Sequence, residues 1–108
     1  MAEEECKRVV LVKFKEGVDA EKLLLELMEK FCEIDVIQSL EWGQDVGGPE
    51  TLRRGFTHAF IMTFKNKEDI KEFISHPIHR ERIPLLAEVT DEKIIIDFLP
   101  VIVKALSR

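Results

Sequence analysis

No tyrosine occurs among the 108 residues, so no phenol is available to donate, accept or relay a proton. Basic charge is also short, with 16 Lys and Arg against 21 Asp and Glu and a net charge of -5. A surface that displaces counterions from a phosphate backbone needs the opposite balance, which argues against general phosphate-backbone binding, and no nucleic-acid partner is expected. Arg53 with Arg54 and Arg80 with Arg82 read as solvated or ion-paired surface. No apolar run approaches the roughly 18 residues of a membrane span, so no membrane partner is expected. The start, MAEEECKR, is acidic and polar, unlike a secretory signal or an organelle transit peptide, and a cytoplasmic location is expected. Only two cysteines are present. Cys6 falls in the expected N-terminal tail and Cys32 near the end of a helix, and in such a compartment free thiols are expected rather than a bridge.

What is present is the composition of one globular domain, with 45% hydrophobic and 34% charged residues and neither repeats nor low-complexity tracts. Residues 7–100 form the expected domain, with tails at 1–6 and 101–108. Residues 8–14, RVVLVKF, are β-branched and read as a strand, with Arg8, Val10, Val12 and Phe14 on one face and Val9 and Leu11 on the other. Gly17 ends it, and Asp19 is placed to cap a helix running to Cys32. The stripe Ala20, Leu23, Leu24, Leu27, Met28 and Phe31 recurs at three and four, which gives that helix one apolar face.

A second strand is expected over residues 37–46, with a break near Gly43. The turn-rich GGPETLRRG then makes a surface connection to a third strand over 57–64. Asn66 can cap the next helix, with Ile70, Phe73 and Ile74 inward, stopping before Pro77. Pro77 suits the first turn of a further short helix, which Pro84 bends or ends, and residues 93–99 form the fourth strand. The order β-α-β-β-α-β predicts an α+β, ferredoxin-like fold, with a four-stranded antiparallel sheet and helices on one face. Apolar residues on both strand faces, Val9, Leu11 and Ala59 among them, predict a homodimer joined through the outer faces, extended by the tail VIVKAL at 101–106.

The segments KRVVLVKFKEG, LEWGQDV, GFTHAFIMTF and SHPIH, in this order and spacing, resemble the plant stress-response A/B barrel (Dabb) family over approximately residues 7–100. The resemblance implies a dimeric α+β barrel associated with stress or defence, in a family most of whose members have no assigned chemistry. It also implies distant kinship with small monooxygenases and with a plant branch that cyclises polyketides. In that branch the counterpart of His79 works as a base with a tyrosine partner, and the tyrosine position is Phe73 here. A further family histidine matches Arg8. Some members hold magnesium at backbone carbonyls after the first helix, which corresponds here to residues 31–34.

The stretch SHPIHRER invites a metal reading, because His-x-x-His on a helical turn can chelate zinc. A third protein ligand is then required, and His58 is the remaining histidine, so a structural role for His76 at a helix junction is preferred. His79 is the candidate catalytic residue, since an imidazole moves protons near neutral pH. Arg8, Val10, Val12, Leu27, His58, Phe60, Met62, Phe73 and His79 face the space between sheet and helices. They would line a pocket for a small apolar metabolite or simply fill the core, and dense native interiors favour the second. No cofactor is expected, magnesium being the ion to test, and the metal ligands are not assigned. The preferred function is a non-catalytic stress-response homodimer; the alternative is a cofactor-free, cyclase-like or monooxygenase-like enzyme using His79.

Overall fold

The computed structural model describes residues 4–105. The chain runs β1 (Cys6–Phe14), α1 (Ala20–Phe31), β2 (Ile37–Gln44), α2 (Glu50–Arg53), β3 (His58–Phe64), α3 (Lys67–Ser75), α4 (Pro77–Val89) and β4 (Thr90–Phe98). The strands form one antiparallel sheet in the order β2-β3-β1-β4, the ferredoxin-like arrangement. Because β1 pairs with β3 and β4 rather than with β2, the helices must carry the chain across the sheet and bury one of its faces.

Register decides which residues meet. Arg8 lies opposite Met62, Val10 opposite Phe60 and Val12 opposite His58, so these six share the inner face, and all are buried. Onto them pack Leu24, Leu27, Met28 and Phe31 of α1, Ile70 and Phe73 of α3 and Leu86 of α4. The alternate residues form the outer face, where Val9 sits between Ile61 and Ile96, and Leu11 between Ala59 and Ile94. Ile94, Ile96 and Phe98 remain 40%, 53% and 41% exposed there, an apolar surface with no cover in the single chain.

Several expectations are corrected. Cys6 is no tail residue: it begins β1 opposite Phe64, on the inner face, and burial pushes its thiol pKa up. β2 does not break at Gly43. Its register shift falls between Ile37 and Ser39, where the turn out of α1 still holds the Ile37 N–H on the Ile34 carbonyl at 3.1 Å. The connection GGPETLRRG contains the one-turn helix α2, and Arg54 closes it in the left-handed conformation at φ 55°. Ile74 is 41% exposed rather than inward. Pro84 does not end α4, which continues to Val89, because Ile83 and Leu86 on either side of it pack against the core. β4 starts at Thr90, three residues before the expected start. Val101, Ile102 and Val103 are 86%, 77% and 93% exposed, and Leu106 lies outside the described residues.

Candidate functional site

The position of His79 follows from how α3 and α4 meet. Asn66 accepts the Asp69 N–H at 2.9 Å and starts α3, which ends at Ser75. His76 is extended at φ -64° and ψ 139°, and its Nδ1 accepts the Ile78 N–H at 3.1 Å, capping α4. Pro77 takes the first helical position, where its missing N–H costs nothing. The ring of His79 then lies edge-on to Phe73 with centroids 4.6 Å apart, and nearly parallel to Phe31 at 6.1 Å. His76 therefore makes a structural bond through Nδ1, as a helix cap. Among the described residues no group of three or more His, Cys, Asp and Glu is placed to hold a metal.

Burial holds the pKa of His79 below its ordinary value. A hydrogen bond with the Ile74 backbone opposes this, and the positive charges of Arg8 and Lys93 reinforce it. Arg8 is only 8% exposed and is paired bidentately with Asp97, Nε to Oδ1 at 2.7 Å and Nη2 to Oδ2 at 3.0 Å. Its guanidinium carbon stands 5.9 Å from the centre of the Phe73 ring. The result is a neutral imidazole, an aromatic wall without a hydroxyl, and a cation whose charge is already answered by Asp97.

Six of the nine candidate pocket residues, Arg8, Val10, Phe60, Met62, Phe73 and His79, line one cavity. Its volume is about 20 Å³, room for about one water, whereas small-molecule sites run to several hundred. Val12 is elsewhere in the filled core, and Leu27, also buried, borders a separate cavity of about 90 Å³ with Leu23, Leu85 and Leu86. His58 stands apart: its Nδ1 is 2.8 Å from Thr57 Oγ1, Phe14 meets its ring edge-on, and Trp42 stacks on it at 6.4 Å. It borders a different, open groove of about 600 Å³, together with Leu11, Leu52, Phe56, Ala59 and Ile61. Burial lowers the pKa of His58 as well.

Phe31, Ile83, Leu86, Lys93 and Ile95 also line the small cavity and were not among the candidates. The alternation in KIIIDFL could have marked Lys93, Ile95 and Asp97 as one face. Only the pairing of Val10 with Ile95 says that it is the inner one. At residues 31–34 the Phe31 and Ile34 carbonyls each accept a backbone N–H, from Ile34 at 2.9 Å and from Ile37 at 3.1 Å. Each keeps a lone pair that suits a hard cation.

The family model of the stress responsive A/B barrel domain matches residues 6–100. The chain belongs to this family. A stress-response A/B barrel domain-containing protein of Arabidopsis thaliana is 41% identical over 105 residues, 97% of this chain and 95% of the relative. The crystal structure of another Arabidopsis thaliana protein superposes with a TM-score of 0.78 at 36% identity, covering 93% of this chain and 99% of that one. Olivetolic acid cyclase of Cannabis sativa is 25% identical over 97 residues, 87% of this chain and 95% of the cyclase. A crystal structure from Bacteroides fragilis, described as a dimeric protein of unknown function with a ferredoxin-like fold, matches at 25% identity with a TM-score of 0.66. It covers 92% of this chain and 99% of the bacterial one. Among the described residues no helix of this A/B barrel protein is long and apolar enough to cross a membrane.

Proposed function

We propose that this A/B barrel protein acts as a non-catalytic stress-response homodimer in the plant cytoplasm, its two sheets joined through their outer faces. The observation that carries this is the uncovered apolar face formed by Val9, Leu11, Ile61, Ile94, Ile96 and Phe98. Burying it against a second copy stabilises the pair by about 25 cal/mol for each Å² removed from water. The dimeric description of the Bacteroides fragilis neighbour supports the same assembly. Sedimentation should find a dimer at micromolar concentration and a monomer for Leu11→Asp, which puts an unpaired charge in that face. A monomeric natural protein ends this reading.

Two observations favour non-catalytic over catalytic use of His79: the cavity beside it holds no more than about one water, and Phe73 has no proton to give. A small apolar metabolite would enter only by displacing the side chains that close that space. The reading needs no cofactor. A rise in melting temperature with magnesium, absent with potassium, would place the ion as a ligand of the native state, with residues 31–34 as its candidate seat.

The cyclase-like alternative rests on a specific observation, a half-buried histidine whose pKa is lowered beside Arg8 and Lys93, and on similarity to olivetolic acid cyclase. General-base help is typically worth about 10² to 10⁴-fold and needs the substrate proton within hydrogen-bond reach. The decisive assay gives a linear polyketide acid or thioester to the natural protein, to His79→Ala and to Phe73→Tyr. Silence from the natural protein is expected. Cyclisation by it that disappears in His79→Ala would replace the non-catalytic reading with the enzymatic one.

A further inference from the structure

The open groove and the end of the chain are unpartnered in complementary ways. The groove of about 600 Å³ runs between the outer face of the sheet, at Leu11, Ala59 and Ile61, and the α2 connection, at Leu52 and Phe56. Leu52 is 76% exposed, which leaves one wall as open apolar surface. Beyond β4, Val101, Ile102 and Val103 are exposed by 86%, 77% and 93%, the most exposed run of aliphatic side chains among the described residues. This tail does not occupy the groove of its own chain. β4 ends with Phe98 opposite Lys7, whereas the sheet wall of the groove lies level with Leu11 and Ile94, four residues back along the strand, about 13 Å at the usual rise.

We propose that residues 101–104 of each protomer seat in the groove of its partner, between the outer face of the sheet and α2. The proposal rests on the homodimer reading above and gives that dimer a second, reciprocal interface. A twofold axis lying across the strands turns one sheet end for end over the other, which brings the end of β4 in one protomer to the groove end of its partner. An extended segment presents alternate side chains to opposite sides, so valine and isoleucine at 101–103 face the sheet and α2 walls in turn. The charges agree with this seat. Lys104 follows the apolar run, and the exposed carboxylate of Glu41 stands on the groove lining. Leu11 and Ile61 of the groove wall also belong to the apolar face that the dimer buries, so the seat adjoins the sheet-to-sheet contact.

The test uses the reciprocity of the two seats. Ile102→Asp damages the tail and Leu52→Asp damages the groove, and neither residue lies on the outer-face strands that join the sheets. Each variant alone should form a weaker dimer, by about tenfold for each damaged seat. In a mixture, the heterodimer regains one sound seat, an unaltered tail in an unaltered groove. Native mass spectrometry should then find the heterodimer enriched, with the exchange constant raised roughly a hundredfold over its statistical value. A statistical mixture of variant dimers would overturn the inference and leave the sheet-to-sheet dimer standing. A natural protein that sediments as a monomer would overturn both.

Discussion

The residue with the most at stake is Arg8, because its side chain is 10% exposed and two hydrogen bonds to Asp97 account for its charge. Asp97→Ala should cost about 1–3 kcal/mol in urea unfolding, less than the roughly 3–5 kcal/mol for breaking a fully buried pair, since Asp97 is itself 41% exposed. The damage lies in the stranded guanidinium, so adding Arg8→Met should recover part of the loss; no recovery would assign it to something else. His79 and His58 supply a pH test. Burial holds both below the ordinary 6.5, so the folded chain takes up protons less readily than the unfolded chain. Above that value both states are neutral at these rings and stability is fully present. As pH falls below it the unfolded chain protonates first, and stability is lost until the folded value is passed. The melting temperature of His79→Gln should therefore fall less between about pH 7.5 and about pH 5.5 than that of the natural protein. Equal slopes would show that His79 is not held neutral. The family resemblance put His79 beside Phe73, but the ion pair next to them was not legible, because its partners are 89 residues apart.

At the scale of elements, local signals read well where the chemistry is local. Asp19 and Asn66 accept the Lys22 and Asp69 N–H groups, at 3.2 and 2.9 Å. Asn66→Ala should cost about 1 kcal/mol, and Asn66→Asp much less, because an aspartate oxygen accepts the same bond; equal losses would remove the cap from the account. The departures from expectation share a cause, which is that distant contacts outweigh local preference. Pro84 by itself predicts a disrupted α4, yet core packing through Ile83 and Leu86 carries the helix past it. Cys6 looks like tail because its neighbours are charged, but pairing with Phe64 draws it into the sheet.

At the scale of the whole molecule, the proposed interface would make stability depend on concentration. The melting temperature should rise as the protein is concentrated from about 1 to about 100 μM, and Ile96→Asp should abolish that rise by charging the centre of the outer face. A natural protein whose melting temperature ignores concentration would count against assembly. Alternating apolar positions, capping residues and turn glycines determined the element order, and through it the ferredoxin-like fold, because these signals act within a few residues. Period-two alternation also showed that both strand faces are apolar, and so that one chain would not bury them all. The tertiary structure alone decided that Val10 meets Phe60 and Ile95, that Arg8 meets Asp97, and that the space beside His79 closes to about 20 Å³. Strand register and the fit of side chains across a core join residues far apart in the chain, and no local pattern carries that information.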